Sequence, residues 1–200
     1  MKSILIGIAI TAIAAASCNG GNNSTTEENN KSSDKTLKSN TEEKVPETAT
    51  DPSTKSATSI KEIVGHYLNL KNALANDNGK EAATYGKAIV KAIEKLGKAS
   101  LTAQQKKVYD DAGDDAKEMA EHIGSNGDKI EHQREHFDML SKDMYDIVKA
   151  FGAGQALYQD YCPMYNDKKG ATWLSETKEI KNPYLGKKTP TCGSVKEEIK

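Results

Sequence analysis

The stretch from residue 128 to residue 151, DKIEHQREHFDMLSKDMYDIVKAF, decides how this chain folds. Its large apolar residues recur three or four positions apart, which is the spacing of one face of an α-helix. Asp128 comes first and Glu131 follows three positions later, a pattern typical of a helix N-terminus. The stretch therefore predicts an amphipathic helix with one apolar stripe, formed by Ile130, Phe137, Leu140, Met144, Val148 and Phe151.

Three upstream segments repeat this helical spacing of apolar residues. They cover about residues 59–75, 80–96 and 102–123, and short turns separate them. Four amphipathic helices with short connections are typical of an up-and-down antiparallel bundle. The predicted fold class is therefore all-α, with a four-helix bundle as its framework.

Two of these segments begin with a capping pattern. Ser59 is followed three positions later by Glu62, and Thr102 is followed by Gln105. In such a capping box, each of the two side chains bonds to the backbone N–H of the other residue. We therefore expect the first helix to begin at Ser59 and the third helix to begin near Thr102.

The chain changes character after Gly152 and Gly154. Prolines and glycines interrupt the remainder, and the helical spacing does not continue. We interpret this segment as an irregular or short β-hairpin appendage that packs on the bundle, with Trp173 as its anchor. Helix propensity returns weakly at residues 195–200.

The N-terminus has the form of a bacterial lipoprotein signal. A positive start precedes an apolar run over residues 4–16, which is too short to span a bilayer. Small residues then lead to Cys18, which predicts a signal peptide over residues 1–17 and a lipidated cysteine at position 18. Acyl chains such as palmitate would tether the protein to a membrane. The alternative is an ordinary signal peptide cut near Ser17.

The mature chain divides into a linker and a domain. Residues 18–59 are rich in small polar and charged side chains, which predicts a disordered linker after the lipidated cysteine. Residues 60–200 have the size of one domain. We expect a cell-envelope protein, anchored by lipid on the periplasmic or surface side of the outer membrane.

Composition and motifs argue against two classes of function. The formal net charge is −1 at pH 7, and acidic and basic residues are interspersed, so nucleic acid is not an expected partner. The chain also lacks a Gly-rich phosphate loop, a nucleophile elbow and the two-histidine-plus-glutamate zinc-protease motif. We therefore do not expect an enzyme.

Two histidines and a methionine share one side of the fourth predicted helix. His132, His136 and Met139 fall within a sector about 60° wide, away from the apolar stripe. Histidines one turn apart can share a metal ion because their rings point the same way. The alternative is a solvated helix face that happens to carry two histidines.

The other histidines have simpler interpretations. Met119 and His122 lie one turn apart on the third predicted helix. Met119 is interpreted as a core methionine, and His122 as a residue near the helix end, where a cation suits the helix dipole. His66 is interpreted as a hydrogen-bonded residue at the edge of the first helix's stripe.

The C-terminal segment concentrates sulfur. Cys162, Met164 and Cys192 supply soft donors, and such donors favour soft cations such as Cu(I) over hard ones such as Mg²⁺. Three interpretations stay open at this point. The cysteines form a metal site with Met164, or a disulfide that closes a loop of about 30 residues, or two free buried thiols.

Several longer motifs carry a family resemblance that extends over about residues 60–193. Two lie in the helical part, namely His122-Ile123 and Gln133-Arg134-x-His136-Phe137-x-x-Leu140-Ser141. The others lie in the C-terminal segment: Leu157-Tyr158-x-x-Tyr161-Cys162-Pro163-Met164, Gly170-Ala171-x-Trp173-Leu174-Ser175, Ile180-x-Asn182-Pro183-Tyr184-x-Gly186 and Cys192-Gly193.

On these motifs the chain resembles an uncharacterised helical domain of Bacteroidetes lipoproteins. A similar domain occurs at the C-terminus of some periplasmic adaptor proteins of copper/silver efflux pumps. The resemblance implies binding of Cu(I) or Ag(I) by Cys162, Met164, Cys192 and His136. One position differs, because Thr189 stands where related domains often carry a methionine, so one soft donor is missing.

The expected function is therefore binding of a soft heavy-metal ion, as a carrier, buffer or sensor linked to metal efflux. Copper or silver would be the bound ion, and we expect no cofactor to be required for folding. The expected partners are the membrane, through the lipid anchor, and metal-efflux components. The rival expectation is a structural or protein-interaction lipoprotein without metal, in which Cys162 and Cys192 form a disulfide.

Overall fold

Helices occupy most of the chain that this computed structural model describes, residues 52–97 and 99–200. The predicted signal peptide, the lipidation site Cys18 and the linker as far as residue 51 lie outside the described residues. Within them, no helix is long and apolar enough to cross a bilayer. The main helices are α1 (Pro52–Ala75), α2 (Gly79–Gly97), α3 (Ala103–Val108), α4 (Asp114–Ser125) and α5 (Ile130–Phe151).

Helix α1 begins at Pro52, earlier than the capping pattern at Ser59 predicts. Proline is well tolerated in the first turn of a helix, where its missing N–H has no intrahelical acceptor. Ser56 and Ser59 are buried and continue the helical spacing of Ile60 and Ile63. Because these two positions carry small hydroxyl side chains, the apolar pattern did not reveal the first two turns. The predicted start at Ser59, and the predicted linker over residues 52–59, are therefore wrong.

The third predicted helix is interrupted. Its start is confirmed, since the Thr102 side chain caps the backbone of Gln105 and the Gln105 side chain returns the bond. A π-helical turn, Tyr109–Gly113, then separates α3 from α4. Gly113 allows this turn, because a Cβ at Gly113 would lie only 2.9 Å from the Tyr109 ring. A π-helical turn re-aims the helix that follows it, and α4 carries Met119 and His122.

Helix α5 confirms the decisive stretch, with one correction at its start. Its N-cap is Lys129, and no side chain caps it, so the predicted capping role of Asp128 is wrong. Buried Gln133 has a different role, donating from Nε2 to the carbonyl oxygens of Gly79 and Ile123. These two bonds tie the start of α5 to the start of α2 and the end of α4. The helix ends where Gly152 adopts a φ of 77°.

The helices pack in sequence around a common core. Helix α1 contacts α2, α2 contacts α4, α4 contacts α5, and α5 contacts α1. Fully buried side chains from these helices include Tyr67, Leu70, Ile89, Ile93 and Phe137. The structure thus confirms a mostly helical domain, while the up-and-down antiparallel order of a four-helix bundle stays a prediction.

The C-terminal segment forms a three-stranded antiparallel sheet. The strands β1 (Leu157–Cys162), β2 (Ala171–Ser175) and β3 (Ser194–Ile199) lie in the order β2-β1-β3. A short turn, α6 (Tyr165–Lys168), joins β1 to β2, so the predicted hairpin is present. Residues 195–200 have a weak helix propensity but form most of strand β3, because pairing with β1 outweighs the local preference there.

The sheet shares its core with the helices. Strand β2 packs on α5, and Trp173 is 1% exposed, which agrees with its expected role as an anchor. The ring of Tyr184 lies at the centre of this junction, 5.6 Å from the ring of Phe137 and 5.9 Å from that of Trp173. The segment is therefore part of the domain core, although its sequence suggested an appendage.

Candidate metal centre

Three histidines from two helices meet at the surface and form what we call the histidine group: His122, His132 and His136. One ligand atom from each lies within 4.8 Å of the others. His132 and His136 are one turn apart on α5, as the sequence predicted. His122 lies near the end of α4, and the short connection from Ser125 to Ile130 brings it against the first turns of α5.

The rings of the histidine group are closely packed. The rings of His122 and His136 stack with centroids 4.4 Å apart and planes 5° apart. The rings of His132 and His136 meet edge to face, also at 4.4 Å. This arrangement brings Nε2 of His136 to 3.1 Å from Nε2 of His132.

The remaining ring nitrogens of the two α5 histidines have other partners. Nδ1 of His132 lies 3.3 Å from Oε2 of Glu135, and Nδ1 of His136 lies 3.4 Å from Sδ of Met119. A carboxylate or a thioether can only accept a hydrogen bond, so both contacts are hydrogen bonds in the tautomer that carries the proton on Nδ1. That tautomer leaves Nε2 of each ring as an acceptor, and a metal ion placed between the two Nε2 atoms can use both.

Protonation of His136 competes little with metal binding at neutral pH. Burial lowers the pKa of His136, and the neighbouring His122 and His132 lower it further. The ring is therefore neutral at neutral pH, which is the form that binds metals. The side chains of His122 and His132 are 46% and 40% exposed, so an ion can reach the group from solvent.

Glutamates lie beside two of the rings. Besides Glu135 beside His132, Oε1 of Glu118 lies 3.7 Å from Nε2 of His122. Carboxylates beside metal-binding histidines commonly fix the ring orientation and raise the basicity of the ligand. Glu135 is placed for this role beside His132, whereas Glu118 lies beyond hydrogen-bond distance of His122.

The two cysteines form a separate cysteine pair, Cys162 and Cys192. Their sulfur atoms lie 2.7 Å apart, and both cysteines are free thiols. Cys162 is fully buried at the end of β1, and Cys192 is partly exposed just before β3. Burial, reinforced by the neighbouring Cys162, raises the pKa of the Cys192 thiol to about 11. That thiol is therefore protonated at neutral pH.

The residues predicted to act together are thus divided between two places. The histidine group contains neither cysteine of the pair. The side chain of Met164 is 62% exposed, and that of Met139 is 42% exposed and lines a cavity beside α5. The sulfur that contacts the histidine group belongs instead to Met119.

Sequence reasoning missed His122 and Met119 as members of this site. Both lie one turn apart on the third predicted helix, where the apolar stripe through Ile123 favours a core position for Met119 and a helix-end position for His122. The missing information was the approach of α4 to α5, which periodicity within one helix cannot supply. A histidine on each of two consecutive helices with a short connection was the available signal.

The comparisons with known proteins concern the helical part. Residues 63–156 match the model of a family described as protein of unknown function (DUF3347). This part of the chain therefore resembles an uncharacterised domain family. The matched range includes the whole histidine group and ends just before β1, so the cysteine pair lies outside it. No curated protein and no solved structure gave a significant match.

Proposed function

We propose that the protein binds a transition-metal ion at the histidine group, with copper as the ion that suits the donors best. The observation that carries this proposal is the 3.1 Å approach of Nε2 of His132 to Nε2 of His136. Ligands about 2.0–2.1 Å from a tetrahedral zinc-like ion are about 3.3 Å from each other. The two α5 histidines are therefore almost preset for metal binding, and His122 needs only a side-chain adjustment.

The donor set supports copper over hard cations. Imidazole nitrogens suit zinc, copper, iron and nickel, and among divalent ions of this series copper binds most tightly. The thioether of Met119 behind His136 adds soft character, which also suits Cu(I) and Ag(I). Two half-exposed rings leave a coordination position open to solvent. An accessible, open site suits a carrier, buffer or sensor that exchanges its ion, and the proposal includes no catalytic turnover.

The cellular setting is part of the same proposal. The predicted signal peptide and lipidated Cys18 would hold the domain at an envelope membrane, and the predicted linker would give it reach. In that location, metal-efflux components are the partners to which such a protein would pass its ion. The resemblance to domains of copper/silver efflux adaptors supports this setting.

Copper titration of the purified chain under reducing conditions tests the proposal, with a chelating indicator as competitor. We expect His136→Ala and His132→Ala each to weaken copper binding by a factor of ten or more, about 1.4 kcal/mol. His66→Ala is the matched control, because His66 lies on α1 beside Tyr85 and outside the histidine group. Unchanged copper affinity in His136→Ala would rule the proposed site out.

The second candidate function is a structural or interaction protein stabilised by a Cys162–Cys192 disulfide. The 2.7 Å separation of the two sulfur atoms favours it, because little movement is needed for a covalent bond. Thiol counting with and without reductant, compared with the Cys162→Ser/Cys192→Ser variant, measures the oxidised fraction. If copper affinity is lost in that double variant and kept in His136→Ala, the sulfur atoms bind the metal and the histidine group does not.

A further inference from the structure

The ring of His136 has a neighbour on each of its two nitrogens. On the side away from His132, its Nδ1 lies 3.4 Å from Sδ of Met119 on α4. With zinc distances as a guide, an ion about 2.0–2.1 Å from a nitrogen and about 2.3 Å from a sulfur holds these two atoms about 3.6 Å apart at a tetrahedral angle. The observed separation is close to this value. The Nδ1 side of His136 therefore has the geometry of a second metal site.

The position of the ring proton decides which side of His136 is available to an ion. A neutral imidazole has one protonated nitrogen, and the other nitrogen is the metal ligand. With the proton on Nδ1, the free Nε2 faces Nε2 of His132. With the proton on Nε2, that N–H can donate to Nε2 of His132, and the free Nδ1 faces the sulfur of Met119. The same ring can therefore serve either site.

The two sides of His136 offer different donors to an ion. The Nε2 side combines imidazole nitrogens, which suit divalent zinc and copper. The Nδ1 side combines one nitrogen with the thioether of Met119, and thioethers select soft ions such as Cu(I). Ag(I) belongs to the same soft class. The Nδ1 side therefore favours a soft monovalent ion over a divalent one.

A second thioether, that of Met139, lies near the same side of the group. Met139 follows His136 by three positions on α5, and residues three apart are neighbours on a helix surface. Burial, followed by the charge of Asp115 on α4, raises the pKa of Asp143 to about 6. The turn of α4 before Met119 thus lies beside the turn of α5 after Met139. The two methionines are therefore level with each other along the two helices.

Met139 differs from the other exposed residues of α5. Its side chain is 42% exposed, and it also lines the cavity beside α5. An unbranched thioether at such a position can turn without disturbing the core. Met139 can therefore approach an ion at His136 from the solvent side. Every other exposed position on α5 carries a charged side chain, namely Glu131, Glu135, Lys142, Asp146 and Lys149.

We propose that a soft monovalent cation, Cu(I) or Ag(I), binds between Nδ1 of His136 and Sδ of Met119, with Met139 as its third ligand. His132 then accepts the Nε2 proton of His136 and fixes the orientation of the ring. This inference rests on the proposed function, since both sites use His136. It assigns divalent ions to the Nε2 side of the ring and soft monovalent ions to the Nδ1 side.

Methionine methyl NMR with Ag(I) tests the site directly. The chain has five methionines, so isotope-labelled methyl groups give a simple spectrum. We expect Ag(I) to shift the methyl signals of Met119 and Met139, and to leave those of buried Met144 and exposed Met164 in place. Zn²⁺, the probe for the Nε2 side, should shift neither Met119 nor Met139. A Met119 signal that does not respond to Ag(I) would overturn the inference.

Thiols would compete for Ag(I), so the titration uses the full chain with Cys18→Ser, Cys162→Ala and Cys192→Ala. In the wild-type chain, the same methyl shifts should appear once the thiols are saturated. The wild-type measurement keeps the test decisive if the buried substitution at Cys162 disturbs folding. Shifts confined to Met164 in both chains would place the ion near the C-terminal segment and would contradict the inference.

A double variant separates a ligand from a residue that only orients His136. Met119→Leu/Met139→Leu should lower Ag(I) affinity about tenfold or more and change Zn²⁺ affinity less than about twofold, measured by competition with a chelator. Met144→Leu/Met164→Leu is the matched control and should change neither affinity. A misoriented ring weakens both ions, so equal losses for Ag(I) and Zn²⁺ would overturn the inference.

The inference and the proposed function fail in different measurements. Zn²⁺ binding that is lost in His136→Ala, together with Ag(I) binding that ignores both Met119 and Met139, would overturn the inference and support the proposed function. Zn²⁺ affinity that is unchanged in His132→Ala and His136→Ala would reject the proposed function. A shift of the Met119 methyl signal by Ag(I) would still support binding on the Nδ1 side in that case.

Discussion

The histidine group and the cysteine pair differ in the elements that carry their residues and in their exposure to solvent. The histidines come from two consecutive helices, and two of their side chains are 46% and 40% exposed. The cysteines are 30 positions apart in the sequence, and Cys162 is fully buried at the end of a strand. The first arrangement suits exchange of an ion with solvent, and the second suits a cross-link. The sequence grouped these histidines and cysteines into one candidate metal site, whereas the structure separates them into two places with different chemistry.

Arg134 links α5, which carries two of the histidines, to the C-terminal segment, which carries the cysteine pair. It lies on α5 between His132 and His136, yet its guanidinium turns inward and is 5% exposed. Nε donates to the carbonyl oxygen of Pro183 in the C-terminal segment, and Nη2 donates to the carbonyl oxygen of Leu74 at 3.1 Å. Nη2 also binds Oδ1 of Asp77 at 2.6 Å. One side chain therefore joins α1, α5 and the C-terminal segment.

Replacing Arg134 should have the largest effect. Arg134→Ala removes the donor to the Pro183 carbonyl oxygen, one of two donors to the Leu74 carbonyl oxygen and the ion pair with Asp77. It also removes the packing of a side chain that is 5% exposed, and we expect these losses together to cost about 3–5 kcal/mol in the free energy of unfolding. Urea unfolding measures it. Lys95→Ala, which removes an exposed ion pair with Glu62, should cost less than about 1 kcal/mol. Equal losses in the two variants would contradict the linking role of Arg134.

Oxidation of the cysteine pair should have the next largest effect. A disulfide that closes a loop of about 30 residues is expected to stabilise the fold by about 3–4 kcal/mol. The difference in unfolding free energy between oxidised and reduced protein measures this, and Cys162→Ala/Cys192→Ala should abolish it. Copper binding at the histidine group should be the same in both redox states. A copper affinity that follows the redox state would join the two regions into one site.

Asp160, two residues before Cys162 on β1, should make the stability of the domain depend on pH. Asp160 is fully buried on β1, and both of its carboxylate oxygens lack hydrogen-bond partners among the described residues. Burial raises the pKa of Asp160 to about 7, although the positive charge of Lys71 lowers it in part. The folded state therefore disfavours the ionised form, and stability should fall as pH rises from about 4 to about 7.

Asp160→Asn should remove much of this pH dependence. We expect the variant to gain about 2 kcal/mol over the wild type at pH 8 and little at pH 4, measured by urea unfolding. Some dependence should remain, because burial also raises the pKa of Asp143 to about 6. Asp128→Asn, at an exposed position before α5, is the control. A variant that is less stable than the wild type at pH 8 would show that ionised Asp160 is stabilising.

Replacing Met119 should have the smallest effect, and it tests whether Met119 orients His136 or binds the metal directly. If its sulfur accepts the Nδ1 proton of His136, Met119→Leu loses that orientation while keeping the side-chain volume. We expect copper affinity to fall about threefold to tenfold, near 1 kcal/mol. Met144→Leu, a fully buried change on α5, should leave copper affinity unaltered. A loss as large as that of His136→Ala would make Met119 a direct ligand.

The sequence predicted the elements better than their contacts. Periodicity found the decisive helix α5, and the capping pattern at Thr102 located the start of α3. The same kind of pattern failed at Ser59, where α1 already begins at Pro52, and at Asp128, where Glu131 accepts from Arg134 and the N-cap is Lys129. Capping patterns describe local bonds, and other partners can replace those bonds.

The sequence by itself determined the amphipathic helices, the facing of His132 and His136, and the concentration of sulfur near the C-terminus. These properties follow from spacing along one chain segment, which fixes directions on a helix or strand. Only the tertiary structure decided that His122 and Met119 join the α5 histidines, and that Cys162 meets Cys192 elsewhere. Such meetings depend on which helix and strand faces pack together, and burial of the whole core selects that packing.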